Sequence, residues 1–136
     1  AIGGIDTVDV MRGVHLSQYF RDRNADGLPP IVAFLRAGCG FGGSCLPKDV
    51  SALIAHGKSL GAKTRILDAT IDVNRDQPAR TVALLRRHWQ SLSGIRVAVL
   101  GLAFKPDTSD VRESPAFPII RQLLEAGASV TACDPV

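Results

Sequence analysis

The 136-residue sequence contains few cysteines, few aromatic residues and no long hydrophobic run. Its three cysteines form neither an even disulfide framework nor a C-x-x-C pair, which favours the reducing cytoplasm over secretion. No apolar stretch is long enough to cross a membrane and no signal-peptide pattern is present, so we expect no membrane partner. These shortages leave an ordinary globular composition, with 46% hydrophobic and 21% charged residues.

Charge and histidine content argue against two further classes of protein. The net charge of +3 is mild, and the arginines between residues 75 and 96 are interpreted as a solvated helix face. Nucleic-acid binding needs aromatic or groove-reading residues, and Trp89 alone lies nearby, so no nucleic-acid partner is predicted. No metal site is predicted, because no metal-ligand spacing relates the three histidines, His15, His56 and His88.

The most informative segment is GFGGSCLPKD, residues 40–49. Its three glycines allow tight turns and a close approach to a ligand. Cys45 follows them and Pro47 marks a helix start, which predicts a thiol at a helix N-terminus, where a thiolate is favoured. Lys48 and Asp49 add a cation and a carboxylate, so the segment is typical of a nucleophile site. The alternative is that Cys45 is a small buried hydrophobic residue and Asp49 a first-turn helix charge.

Residues 38–43 also satisfy the G-x-G-x-x-G pattern of dinucleotide-binding loops. That pattern needs a strand before it and, after the helix, a second strand that ends in an acidic residue about twenty residues on. Residues 64–74 have a helical period instead, so we reject this interpretation.

Apolar spacing predicts three helices in the first 92 residues. The first is capped by Asp6 and runs to about residue 16, and the second begins at Pro47 and ends before Gly61. The third covers residues 64–92, with a kink or a break at Pro78 because proline cannot donate to the carbonyl of Asn74.

The spacing of the apolar residues changes after residue 94, from a helical pattern to a strand pattern. Buried strands are predicted at residues 95–100 and 129–133, with a helix between them that starts at residue 113 or 114 and runs to residue 125. This order gives a parallel βαβ unit with a right-handed crossover. Because two strands do not make a stable sheet, we expect the unit to be truncated.

Three blocks of sequence follow one another along the chain. They are Phe34-Leu35, Ala37-Gly38 and residues 40–49; VAVLGLAFKP at residues 97–106 with DVRESP at 110–115; and Gly127-Ala128 with Asp134-Pro135. Together they resemble the UDP-glucose/GDP-mannose dehydrogenase family in order and spacing. The fold predicted is therefore an α-helical segment followed by a truncated α/β, Rossmann-like, nucleotide-sugar-binding unit. The resemblance implies that residues 1–92 are a helical central and dimerisation domain, truncated at its start, and that residues 93–136 are a partial α/β domain, truncated at its end.

The resemblance implies roles for particular residues. Cys45 is the nucleophile, and Asp49 helps to order the catalytic water. The expected substrate contacts are Arg36, Gly40, Phe41, Gly42, Gly43, Phe104 and Lys105, and the expected NAD contacts are Cys45, Leu46, Pro47, Lys48 and Arg112. Two alternatives stay open, because Lys105 could be a solvated loop lysine and Arg112 could pair with Asp110 or Glu113. Cys39 and Cys133 match no catalytic position and are predicted to pack in the interior.

The reaction that the resemblance implies is an NAD-dependent oxidation at C6 of a nucleotide-sugar, with UDP-glucose converted to UDP-glucuronate. The alcohol becomes an aldehyde, the thiolate captures it as a thiohemiacetal, and a second oxidation gives a thioester that water hydrolyses. The family's N-terminal NAD domain and its upstream catalytic glutamate, lysine and asparagine are not found here. We therefore expect the chain to be inactive by itself.

Several alternatives remain at this level. The substrate could be UDP-N-acetylmannosamine or GDP-mannose, since the same blocks serve those sugars. The chain could also be a non-catalytic dimerisation and nucleotide-sugar-binding module, or an unrelated thiol enzyme. A homodimer through the 64–92 helix is predicted, with candidate contacts at Leu67, Ile71, Val82, Leu85 and Trp89; the alternative is that these residues pack on the chain's own helices.

Overall fold

The computed structural model describes residues 4–17 and 38–135. The chain divides into two compact units, residues 1–38 and 39–136. The first unit contains helix α1, Thr7–His15, whose N-cap Asp6 accepts a hydrogen bond from the Val8 backbone N–H at 2.8 Å. The predicted start of this helix is therefore confirmed.

Two helices open the second unit. Helix α2 covers Leu46–Ser59 and helix α3 covers Arg65–Leu85. Helix α3 continues through Pro78, so of the two predicted alternatives the break is wrong and the kink stays a prediction. Pro78 is buried, and we attribute the continuity of the helix to this packing, which offsets the loss of one backbone hydrogen bond.

Helix α3 ends seven residues earlier than predicted. After Leu85 the backbone turns, and the N–H groups of His88 and Trp89 both donate to the Leu85 carbonyl. The turn brings Leu92, which is 2% exposed, into contact with the buried core. Burial of this leucine explains why the apolar spacing extends beyond the end of the helix.

The predicted βαβ order is confirmed. Strand β1, Arg96–Leu100, and strand β2, Ser129–Cys133, pair in parallel with Arg96 opposite Ser129 and Leu100 opposite Cys133. Helix α4 lies between them at Ala116–Glu125. It begins later than predicted because Glu113 has a φ of +52°, a left-handed conformation that a right-handed helix excludes.

One hydrophobic core supports the second unit. Val82 of α3, Leu92, Leu123 of α4 and Ala128 are buried together, and flanking apolar residues of β1 and β2 pack around them. These four residues come from both sides of the predicted boundary at residues 92/93, and that division of the chain remains a prediction. No helix in the described ranges has the length and hydrophobicity needed to cross a membrane.

Candidate active site

Cys45 is the N-cap residue of α2, as the position of Pro47 predicted. Its thiol is exposed and lies 3.6 Å from the Ser44 hydroxyl oxygen. The alternative of a buried hydrophobic cysteine is therefore wrong. Cys39 and Cys133 are exposed as well, so the prediction that they pack in the interior is also wrong.

The glycine loop, residues 40–43, is tied to α3 by one side chain. The Phe41 N–H donates to the Asn74 side-chain oxygen at 2.7 Å, and the Asn74 amide nitrogen donates to the Phe41 carbonyl at 3.0 Å. A Cβ atom on Gly40, where φ is +118°, would lie 2.8 Å from the same Asn74 oxygen. The first glycine is therefore required both for its conformation and for its lack of a side chain.

The other end of the glycine loop lies against the strand-end loop, residues 101–114, which follows β1. The Gly43 N–H donates to the Arg112 carbonyl at 2.9 Å. A Cβ atom on Gly42 would overlap the Glu113 carbonyl oxygen, and one on Gly43 would lie 2.8 Å from the Phe104 ring. The structure thus brings together Gly42, Gly43 and Phe104, three of the predicted substrate-binding residues.

The strand-end loop is itself held by carboxylates. One oxygen of Asp134, just after β2, accepts from the N–H groups of Leu102 and Ala103 at 2.6 and 2.9 Å. The Phe104 N–H donates to the Asp110 carbonyl at 3.0 Å. This places Phe104 and Lys105 beyond the carboxyl end of a parallel strand, where open α/β sheets bind ligands.

Ionic contacts arrange the charges near the thiol. Arg112 pairs with Asp110 through two nitrogens, at 2.9 and 2.7 Å, which settles the partner of Arg112. Hydrogen bonds from the Arg112 side chain and backbone lower the pKa of Asp110 to about 2. Lys48 forms an ion pair with Asp49, and this hydrogen bond is the main cause that raises the pKa of Lys48.

Both cations also respond to the charge of Cys45. A smaller contribution from the Cys45 thiolate raises the pKa of Lys48 and of Arg112, beyond the effects of Asp49 and Asp110. The charges of Lys48 and Arg112 therefore lie within electrostatic range of the thiol. The first turn of α2 adds backbone N–H groups without intrahelical partners.

The predicted site residues divide into three sets. Gly40, Phe41, Gly42, Gly43, Phe104 and the backbone of Arg112 form one contact network with Asn74. Cys45 is the N-cap of α2, and its first turn contains Leu46, Pro47, Lys48 and Asp49. Lys105 is exposed, with its ammonium 5.6 Å from the centre of the Phe104 ring, and Arg36 lies outside the described residues.

Sequence reasoning gave no site role to Asn74 or to Asp134, although Asp134 stands in the third of the family blocks. Each contacts a segment more than thirty residues away along the chain, so no local spacing marks them. Asn74 had one signal, since it lies four residues before a proline inside a helix. A groove of about 360 Å³ between α3 and α4 contains no predicted site residue; it is lined by Ala79, Val82, Ala83, Arg86, Gln122, Glu125 and Ala126.

The residues around Cys45 fit part of a dinucleotide such as NAD. Pyrophosphate groups bind to helix N-terminal N–H groups and to cations, and both are present beside the thiol. Lys48 and Arg112 are exposed and so are accessible to an anionic ligand. Within the described ranges, no cluster of three or more metal-ligating side chains is present.

An exposed thiol at a helix N-terminus, a close-packed glycine loop and an aromatic residue at a strand end thus lie on an α/β scaffold. Comparison with known families identifies two domains in the chain. The central domain of the UDP-glucose/GDP-mannose dehydrogenase family matches residues 1–76, and the family's UDP binding domain matches residues 98–136. This chain belongs to the UDP-glucose/GDP-mannose dehydrogenase family.

Individual relatives show how much of the enzyme is covered. UDP-glucose 6-dehydrogenase AglM of Haloferax volcanii is 46% identical over 133 residues, 98% of this chain and 28% of the relative. The solved UDP-glucose dehydrogenase of Pyrobaculum islandicum is 43% identical with a TM-score of 0.82, over 98% of this chain and 28% of that chain. The solved GDP-mannose dehydrogenase of Pseudomonas aeruginosa is 30% identical with a TM-score of 0.66, over 95% of this chain and 27% of that chain. The chain spans a little over a quarter of each relative's length.

Proposed function

We propose that this chain provides the thiol centre of an NAD-dependent nucleotide-sugar 6-dehydrogenase that oxidises UDP-glucose to UDP-glucuronate. The observation that carries the proposal is the position of Cys45 at the N-terminus of α2, exposed and within range of two cations. The relatives named UDP-glucose 6-dehydrogenase support the choice of substrate. We assign the reaction to the cytoplasm, because three cysteines with neither an even disulfide framework nor a C-x-x-C pair favour a reducing compartment.

Cys45 acts as the nucleophile in this proposal. Its sulfur adds to the C6 aldehyde of the sugar and forms a thiohemiacetal, whose oxidation gives a thioester. Water then breaks the carbon–sulfur bond, which releases the carboxylate and restores the thiol. NAD, when bound, accepts the electron pairs of the two oxidations, one pair per NAD molecule. Asp49, one residue beyond Lys48 on the exposed first turn of α2, is the proposed partner of the attacking water.

Two groups of residues bind the ligands in this proposal. Arg36, Phe104, Lys105 and the backbone of residues 40–43 hold the nucleotide-sugar, with the exposed Lys105 ammonium facing its diphosphate. The backbone of residues 45–48 and the Arg112 guanidinium hold NAD. The closeness of Gly42 and Gly43 to Phe104 supports a single binding surface made by both loops.

GDP-mannose and UDP-N-acetylmannosamine are the competing substrates, because the fold is shared with solved dehydrogenases of both sugars. We also propose that the 136 residues alone are inactive. The described residues contain one two-stranded sheet, and a dinucleotide fold needs a larger parallel sheet. A chain that binds nucleotide-sugar without chemistry would be a non-catalytic module.

A chimeric enzyme tests this function. The region of the Pyrobaculum islandicum dehydrogenase that matches this chain is replaced by residues 1–136, and NADH formation is followed with each of the three nucleotide-sugars. We expect activity with UDP-glucose, a loss of at least about a thousandfold in Cys45→Ser, and near-normal activity in Cys133→Ser. A folded chimera that is inactive with every sugar, or that is indifferent to Cys45→Ser, would contradict the proposal.

We further propose that the protein forms a two-fold homodimer through α3. We propose a contact surface other than the one expected from sequence, because Val82 is 4% exposed and Leu85 packs against the chain's own core. Ile66, Val73 and Leu84 are exposed, and spacings of seven and eleven residues align them on one line of the helix. Light scattering should show a dimer that Leu84→Asp weakens and the matched Leu53→Asp on α2 does not; a monomer at tens of micromolar would contradict it.

A further inference from the structure

We propose that Asn74 is a positioning residue, whose side chain fixes the glycine loop and thereby the place of the Cys45 thiol. Asn74 lies on α3, and its described side-chain contacts are with the loop. It therefore acts on Cys45 through the loop. The inference rests on the proposed function of Cys45.

The contact between Asn74 and Phe41 is a two-point clamp. One atom of the amide accepts from the Phe41 N–H at 2.7 Å, while the other donates to the Phe41 carbonyl at 3.0 Å. A pair of opposed hydrogen bonds fixes both the position and the orientation of a residue's backbone, which one bond does not. The contact is partly buried, so leaving the Phe41 groups unpaired would carry a desolvation penalty.

The turn of α3 around Asn74 is shaped to receive the loop. Pro78 lacks the N–H that would normally bind the Asn74 carbonyl, and Pro78 is buried. A Cβ atom on Gly40 would lie 3.6 Å from that carbonyl oxygen and 2.8 Å from the side-chain oxygen. Asn74 thus lies next to both Pro78, which leaves its carbonyl without the usual helical donor, and Gly40, whose lack of a side chain lets the loop approach.

A second attachment completes the path to the thiol. The Gly43 N–H donates to the Arg112 carbonyl, and the Arg112 guanidinium is one of the two cations affected by the Cys45 charge. With Phe41 held by α3 and Gly43 held by the strand-end loop, two residues separate the last attachment from α2. The two attachments therefore restrict how far Cys45 can move relative to Arg112. Asn74 supplies the attachment at Phe41.

The test measures the alkylation of Cys45 in the purified chain. Wild type, Asn74→Ala, the near-isosteric Asn74→Leu and the matched control Thr70→Ala react with iodoacetamide over about pH 6 to 9, and peptide mass spectrometry resolves each cysteine. Thr70 is exposed on the same helix, and its hydroxyl donates to the Ile66 carbonyl. Cys133, exposed on β2, is the reference thiol in every sample.

We expect the Cys45-to-Cys133 rate ratio to fall about threefold or more in both Asn74 variants, because misplacement by a fraction of an ångström weakens charge stabilisation. The pH profile of Cys45 should also shift toward that of Cys133. Thr70→Ala should keep the wild-type ratio and profile. Circular dichroism checks that each variant retains its helix content. Should Asn74→Ala fail to fold, the result for Asn74→Leu decides the test.

Two results would overturn the inference: a wild-type ratio and pH profile in a folded Asn74→Leu, or an equal change at Cys45 and Cys133. A wild-type chain whose Cys45 reacts no faster than Cys133 contradicts the proposed function instead. The clamp is then judged by hydrogen exchange at the Phe41 amide. That exchange must quicken in both Asn74 variants and not in Thr70→Ala, and unchanged exchange would also overturn the inference.

Discussion

The glycine loop and the strand-end loop border the same candidate site, but they are held in different ways. The glycine loop is fixed from outside, by the Asn74 side chain and the Arg112 carbonyl, and by the absence of its own side chains. The strand-end loop is fixed by carboxylates, one within it at Asp110 and one after β2 at Asp134.

This difference predicts opposite sensitivities. The glycine loop should fail when a side chain is added, because the space beside it is already filled by backbone and an aromatic ring. The strand-end loop should fail when a negative charge is removed, by mutation or by acid. Three changes test the contrast, in order of expected effect.

Gly42→Ala should have the largest effect. The new methyl group would overlap the Glu113 carbonyl oxygen and lie 2.8 Å from its carbon, and a backbone group cannot rotate away as a side chain can. We expect a loss of about 3 kcal/mol in the free energy of unfolding, measured by urea titration and circular dichroism.

Gly61→Ala is the matched control. Gly61 has a φ of +73°, but its Cβ would have no described atom within 4 Å, so the cost is conformational alone, about 1 kcal/mol. Equal losses in the two variants would show that close packing does not distinguish the glycine loop.

Asp134→Ala should have an intermediate effect. The N–H groups of Leu102 and Ala103 would lose their shared acceptor, which costs about 1 to 2 kcal/mol in the free energy of unfolding. Asp134→Asn keeps an acceptor oxygen and should recover part of this loss. If the Ala and Asn variants unfold at the same urea concentration as wild type, the carboxylate does not hold the loop.

Acid should have the smallest effect, confined to the strand-end loop. The pKa of Asp110 is lowered from 3.8 to about 2 in the folded chain, so its carboxylate stabilises the loop above about pH 4. That contribution is lost as the pH falls through about 2. The NMR signal of the Arg112 side-chain Nε–H should move in this window while the Phe41 amide stays unchanged. A transition of the Arg112 signal near pH 3.8 would contradict the lowered pKa of Asp110. In the control variant Asp110→Asn, the Arg112 signal should show no transition.

Much of the fold could be predicted because it depends on local patterns. Strand β2 lies where it was predicted, β1 begins one residue later, and Asp6 and Pro47 marked the starts of α1 and α2 correctly. The errors come from tertiary packing. Helix α3 passes Pro78 because that residue is buried, and it stops before Leu92 because that leucine enters the core.

The site could be predicted only in part for a related reason. Glycines and the thiol lie together in sequence, so their spacing indicated a nucleophile segment at residues 40–49. Asn74 and Asp134 reach this region through contacts across more than thirty residues. Pro78 after Asn74 and the pair Asp134-Pro135 were signals near them in sequence, but neither signal shows which distant segment is contacted. Arg112 was predicted with two possible partners, and the structure gives Asp110.

The central claim is that the surroundings of Cys45, and not its exposure, make it the nucleophile. Cys39, Cys45 and Cys133 are all exposed, so alkylation of the three thiols in one native chain compares their environments directly. We predict that Cys45 reacts with iodoacetamide about tenfold faster than Cys133 near neutral pH, and that urea abolishes the difference. Native rates at Cys45 and Cys133 within about twofold of each other would contradict the account.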